Sequence, residues 1–195
     1  MAALPLLTGT RVRLDPLTEN DYSCYRALHT CPEVAAPAGV PPLNDEQSVK
    51  AFFNTALFPA SQGRILALRH NDAEALIGVI CLTEWDSHAG VLNLGYCLAT
   101  EFWGQGLMHE GLSLLLPWLL AGGMGEPLHR LQAWGLLGNE RSCRLLTRLG
   151  FRLEGILRHL YYDSQTHQDV CAYGLLRSDL CLNQRQAGFL VPINA

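Results

Sequence analysis

The sequence has no Cys-x-x-Cys pair, no completed metal-type histidine spacing, no excess of positive charge and no apolar run of bilayer length. Each absence removes a class of function. The seven cysteines (24, 31, 81, 97, 143, 171 and 181) are odd in number and scattered, which fits reduced thiols rather than a disulfide framework. His109-Glu110 begins like His-Glu-x-x-His, but Ser113 takes the place of the second histidine, so no metal is expected. The formal net charge of −4 leaves no basic footprint for nucleic acid, and Arg141, Arg144 and Arg148 read as a solvated helix face. The longest apolar stretch, residues 112–121, is short and interrupted by Ser113 and Pro117, so no membrane span is expected. Residues 1–13 show no basic segment leading into an apolar run, and the expected location is the cytoplasm.

What is present suffices for one ordinary domain. Of 195 residues, 49% are apolar and 16% charged, enough to build a full core. Residues 1–180 are expected to form the domain and 181–195 a tail outside its pattern. Arg11-Val-Arg-Leu14 alternates as a short strand stopped by Asp15-Pro16. Thr18 with Asp21 three positions later predicts a capped helix running to Thr30. Residues 32–42 carry four prolines and a glycine and predict an irregular loop. Asn44 is expected to cap a second helix that buries Val49, Phe52, Phe53 and Ala56 and stops at Pro59.

Strands are then predicted over 64–69, 75–83 and 91–99, with turns at 70–73 and 84–90. A helix over about 106–121 buries Met108, Leu112, Leu115 and Leu119, with a kink expected at Pro117. A strand at 128–134 precedes a helix capped by Asn139 and closed by Gly150, and strands at 151–157 and 169–176 end the pattern. The order is βααβββαβαββ, an α+β arrangement in which strand 128–134 is expected to lie parallel beside 91–99.

The chain is organised around residues 94–112, a strand, a glycine-containing loop and a helix that starts at that loop. Gly104 and Gly106 remove side-chain obstruction from a helix start, where free backbone amides make an anion site suited to a pyrophosphate. A Walker loop would need Gly-Lys-Ser/Thr, and Gly106-Leu-Met108 supplies neither lysine nor hydroxyl. A dinucleotide fingerprint would need a third glycine where His109 stands, as well as a repeated βαβ setting.

A third chemistry fits. Leu94-Gly-Tyr96, Gly104-Gln-Gly-Leu-Met108, Asn139-Glu-Arg-Ser142, the run Leu149-Gly-Phe-Arg-Leu-Glu-Gly-Ile-Leu-Arg158 and Asp169 with Tyr173 and Leu175-Leu176 occur in one order. This set resembles the GNAT acyltransferase superfamily and, within it, the RimJ/RimL-like N-acetyltransferases, over about residues 9–180. Trp103 and Met108 depart from the superfamily's usual loop ends.

The resemblance implies the GNAT fold, a mixed and mostly antiparallel sheet of about seven strands flanked by four helices. It also implies acetyl-CoA as acetyl donor, without metal. The backbone of Cys97 and Leu98 would pair with the pantetheine arm. The amides of Gln105, Gly106, Leu107 and Met108, beside Gly104, would hold the pyrophosphate, with Trp103 packed under the loop. Asn139 would cap its helix or bond the pantetheine arm, and Ser142 would lie near the sulfur.

The implied reaction is direct attack of a neutral amine on the acetyl thioester in a ternary complex, with a donor for the oxyanion and a proton for the leaving thiolate. Ser142 is the implied proton donor, and a backbone amide near Leu98 a donor to the oxyanion. A base is harder to find, because Asn93 stands where other members carry an acid. Glu84, Tyr161 with Tyr162, and more remotely His29 and His88 are the candidates. An α-amine, with a pKa near 7.7–8.0, needs little base, whereas lysine near 10.4 needs much, and this favours a low-pKa acceptor. The acceptor is thus expected to be a protein N-terminus or a small-molecule amine. The protein itself would be a monomer or homodimer. Two other readings stand beside this one: an acetyl-cysteine route through Cys97, and a non-catalytic acyl-CoA-binding module.

Overall fold

The structure, a computed structural model, describes residues 5–38, 43, 45–57, 64–126, 128–162 and 165–179. Its elements run β1 (Leu7–Thr8), β2 (Val12–Pro16), α1 (Tyr22–Thr30), α2 (Pro32–Ala35), α3 (Glu46–Leu57), β3 (Arg64–His70), β4 (Leu76–Asp86) and β5 (Val91–Leu98). They continue with α4 (Leu107–Leu120), β6 (Arg130–Leu136), α5 (Glu140–Arg148), β7 (Arg152–Tyr162) and β8 (His167–Leu176).

One eight-stranded sheet carries the order β1-β2-β3-β4-β5-β6-β8-β7. Every pairing is antiparallel except β5 with β6, which is parallel as the sequence pattern implied. Two elements exceed the sequence expectation. β1 is only two residues long, too short for alternation to be read. α2 forms inside the expected loop because Pro32 sits at its first turn, where a missing N–H costs nothing. Residues 39–42 of the Pro-rich stretch, Asn44, the expected helix stop at Pro59 and the segment from 180 onward lie outside the described residues. Asp45 caps α3, accepting from the Ser48 N–H at 2.8 Å.

Alternation along the strands puts apolar residues on both faces, and each face is covered by helices. Leu66, Leu68, Ile80, Leu82, Leu92, Leu94, Leu131, Cys171, Tyr173 and Leu175 pack with α4 and α5. Ala67, Val79, Cys81 and Cys97 point to the opposite face, under Tyr25, Leu28, Val34 and Phe53 of α1, α2 and α3. α4 brings five buried leucine and methionine side chains besides Leu107, each contributing about 1.5–3 kcal/mol by removal from water. It runs unbroken through Pro117. Gly111 lets it sit close, since a Cβ there would stand 2.8 Å from Leu68 Cδ1.

Two buried polar groups tie α1 to this framework. Arg69 of β3, 7% exposed, donates to both oxygens of Asp21 (2.6 and 3.0 Å) and to Asp15. Burial alone would raise the Asp21 pKa, but the Arg69 guanidinium and Thr18 outweigh it and hold it below the usual carboxylate range. Asp21 also accepts from the Thr18 N–H at 2.8 Å, which is the expected capping partnership.

His29, at the last turn of α1, is 4% exposed and packs its ring 4.2 Å from that of Tyr25. Neither ring nitrogen has a partner among the described residues. Burial lowers its pKa from 6.5 to about 4, so the folded protein keeps it neutral while the unfolded chain protonates. Stability owed to His29 is therefore complete above pH 6.5 and is lost as the pH falls toward 4, by about 3 kcal/mol. His29→Phe is expected to flatten this acid limb in urea titrations at pH 7, 5.5 and 4.

Candidate active site

β5 and β6 pair only at Val91–Arg130, Leu92–Leu131 and Asn93–Gln132, and beyond that rung the two strands part. The backbone N–H of Ala99 donates to Ile77 O at 2.9 Å. By the alternation of an antiparallel ladder, Asn93, Gly95 and Cys97 then turn their backbone groups to β4, and Leu94, Tyr96 and Leu98 turn theirs toward the opening. Leu98 thus presents its backbone to the gap, whereas Cys97 is committed to Val79 of β4. The Cys97 thiol is buried, and its pKa is pushed up by desolvation, then by Cys81. A protonated, enclosed thiol is no nucleophile, and the acetyl-cysteine route loses its basis.

The chain leaves β5 through a short 3-10 turn at Thr100–Phe102 and enters α4 over two left-handed glycines, Gly104 (φ 74°) and Gly106 (φ 76°). Only glycine adopts these angles without strain. The first helical bond of α4 is Glu110 N–H to Gly106 O, so the amides of Leu107, Met108 and His109 precede the ladder and remain free for an anion. The side chains of Leu107 and Met108 are buried in the core, leaving their main chain at the loop. Met108, the odd residue of the motif, therefore costs the loop nothing.

Trp103, the other odd residue, is a strut. Its indole Nε1–H donates to Leu98 O at 2.7 Å, and the Arg141 guanidinium lies 4.2 Å above its ring. Arg11 is a feature that local reading misses. It donates to Gln105 O (2.8 Å) and to Glu110 Oε2 (2.8 Å), clamping the loop to the start of α4. The only sequence signal for it is an arginine at the start of the first predicted strand, 99 residues from Glu110. With Arg141, it places two guanidiniums beside the loop, which suits a polyphosphate in a chain of net negative charge.

Two further contacts cross the opening. Asn139 is the N-cap of α5, its Oδ1 accepting from the Ser142 N–H (3.3 Å), while its Nδ2 donates to Pro37 O (3.3 Å). Ser142 Oγ lies 2.8 Å from Tyr96 Oη, joining α5 to β5 on the face covered by α4. Burial pushes the Tyr96 hydroxyl up to about 12, so it stays a neutral donor.

The remaining candidates sit on other strands and turns. Glu84 lies within β4 rather than beyond it, exposed, with φ 52° at the irregularity between Thr83 and Asp86. Tyr161 is half-buried on β7 opposite Gln168, with β8 and β6 between it and the gap. His88 belongs to the turn after β4. Among the described residues there is no cluster of His, Cys, Asp and Glu that could hold a metal ion, and no helix long and apolar enough to cross a membrane.

A parted pair of parallel strands, a two-glycine anion loop and a hydroxyl pair across the gap are features to test against known proteins. The family model for the acetyltransferase (GNAT) domain matches residues 11–152. The uncharacterized N-acetyltransferase YoaA of Bacillus subtilis (strain 168) is 26% identical over 89% of this chain and 97% of its own length. The [ribosomal protein uS5]-alanine N-acetyltransferase of Escherichia coli (strain K12) is 35% identical over 40% of this chain and 39% of its own. A T. thermophilus protein classed as an acetyltransferase superposes with a TM-score of 0.80 and 26% identity, covering 96% of this chain and 98% of that one. The chain belongs to the GNAT acetyltransferase family and is an acetyl-CoA-dependent N-acetyltransferase.

Proposed function

We propose that this enzyme transfers the acetyl group of acetyl-CoA to a low-pKa primary amine, either a protein N-terminal α-amine or a small-molecule amine, by direct attack in a ternary complex. The observation that carries the reading is the parting of β5 and β6 beside the loop at Gly104 and Gly106. The donor supplies an activated thioester. The amides of Gln105, Gly106, Leu107 and Met108 would hold its pyrophosphate, with Arg11 and Arg141 alongside. The Leu98 backbone would receive its pantetheine arm next to the Trp103 indole.

The similarity to the uS5-alanine N-acetyltransferase supports an α-amine acceptor. So does the chemistry of the side chains at the gap: Tyr96 and Ser142 are a pair of hydroxyls, and β5 carries the amide Asn93 rather than a carboxylate. An amine that is already largely neutral near pH 8 needs no strong base. Acetylation of one peptide carrying both a free α-amine and an internal lysine tests this, with mass spectrometry locating the acetyl group. Modification of the α-amine is expected, and preference for lysine would sink the reading.

Ser142 would protonate the departing sulfur, and Tyr96 would resupply the proton across their 2.8 Å hydrogen bond. Ser142→Ala is expected to lower kcat about 100-fold, the low end for a lost general acid, with the Kd for acetyl-CoA nearly unchanged. Tyr96→Phe, which only breaks the relay, is expected to cost roughly tenfold, about the worth of one buried hydrogen bond. Single-turnover rates beside donor titrations separate the two effects.

A further inference from the structure

We infer that Asn93 is the anchor for the attacking amine, and that it selects an acceptor whose surroundings are uncharged; this rests on the function proposed above. Asn93 occupies the last rung shared by β5 and β6, at the point where the strands begin to part. It pairs with Thr83 on one side and Gln132 on the other. Its side chain shares the sheet face of Cys97, opposite α4 and beneath α1–α3, so it lies across the sheet from the Tyr96–Ser142 pair. The Nδ2 group leans on Thr83 Oγ1 at 3.4 Å, a long bond. The carbonyl Oδ1 is buried with no hydrogen-bond partner among the described residues.

A buried orphan acceptor is rare and costly, and an N–H brought by a ligand relieves it. An amide oxygen accepts a hydrogen bond but takes no proton at neutral pH. Asn93 can therefore hold a neutral amine by one N–H and leave its lone pair free. The nitrogen bonds to the acetyl carbon as the C–S bond breaks. Sulfur leaves with the bonding pair and gains a proton, and the surplus proton on nitrogen passes to solvent.

The surroundings decide the class of amine. On the same face, the neighbours of Asn93 along β5 and β6 are Val91, Gly95, Cys97, Gln132 and Trp134, none of them charged at neutral pH, and Arg130, whose charge is met by Glu154. Trp134 is 44% exposed, and Leu157, opposite Val170 on that face, is 40% exposed. On this face the Glu154 carboxylate of β7 is neutralised by Arg130 of β6 in a two-pronged pair at 2.7 and 2.5 Å lying over Gly174. The other ionisable groups around this face include the protonated Cys81 thiol, His29 on α1, Glu84 next to Thr83 on β4, Glu33 on α2 and the mutually paired Arg69, Asp15 and Asp21. An uncharged aromatic wall beside a neutral amide suits a peptide α-amine flanked by apolar side chains better than a polyamine.

The test compares wild type with Asn93→Ala and Asn93→Asp. The substrates are an alanyl peptide with apolar flanks and spermidine, and acetyl-CoA titrations and thermal melts accompany the kinetics. Wild type is expected to favour the peptide. Asn93→Ala should lose 10- to 100-fold in kcat/KM for the peptide, keep the acetyl-CoA Kd within twofold and melt at the same temperature or roughly 2–4 °C higher, because an unsatisfied acceptor has gone. Asn93→Asp should add an ionisation to the pH profile of kcat/KM and shift preference toward spermidine. A kcat/KM for Asn93→Ala within twofold of wild type would overturn the assignment while leaving acetyl transfer standing. Wild type that binds acetyl-CoA but acetylates neither amine would overturn both.

Discussion

Gly106→Val is expected to weaken acetyl-CoA binding by about 100-fold, measured by calorimetry with CoA or acetyl-CoA, with little loss of fold. Gly106 is the N-cap of α4 at φ 76° and ψ 9°. A β-branched residue there pays about 1–2 kcal/mol for the left-handed conformation or rotates out of it. Rotation re-aims the free amides of Leu107 and Met108, and each hydrogen bond lost to a charged phosphate is worth about 1.5–3 kcal/mol. Two such bonds give the stated hundredfold. Arg11 limits the escape, because its Nη2 lies 3.6 Å from where the new Cβ would stand. A binding constant unchanged within threefold would place the pyrophosphate elsewhere.

Arg69→Ala is expected to destabilise the protein by about 3–5 kcal/mol, because it strands a buried carboxylate rather than merely deleting an ion pair. Asp21 is 5% exposed, and Arg69 supplies both of its guanidinium contacts, at 2.6 and 3.0 Å. For a chain of this size the melting temperature should fall by roughly 6–20 °C. Adding Asp21→Asn to Arg69→Ala should restore part of that loss, since no charge then remains to be buried. A double variant no more stable than Arg69→Ala would argue that packing, not charge, is what Arg69 supplies.

The features legible in the sequence are those whose causes are local. Strand β5, the glycine loop and α4 are specified by alternation, by two glycines at left-handed angles and by a helical apolar stripe within residues 91–120. Asn139 as N-cap and Gly150 at φ 92° follow from the same short-range rules. What local patterns do not show shares a different cause. Arg11 with Glu110 and Arg69 with Asp21 join residues 99 and 48 positions apart, and no window of neighbours says which distant carboxylate a given arginine meets. Which of Cys97 and Leu98 faces the gap depends on the register of β5 against β4, which a single strand's composition does not carry. Glu84 reads as a turn residue because the irregularity between Thr83 and Asp86 hides the last rung of β4. The Tyr96–Ser142 bond escapes notice because Tyr96 enters only as part of a motif, while its partner sits 46 residues later on another element.

The most direct test is to follow thiol release from acetyl-CoA by the purified protein across a panel of peptide α-amines, lysine peptides and small amines, with acetylated product counted by mass. Thiol release matched one-to-one by acetylation of a peptide α-amine, and abolished together with donor binding in Gly106→Val, is the expected result. Tight acetyl-CoA binding with no thiol released for any amine would contradict it and leave an acyl-CoA-binding module in place of an enzyme.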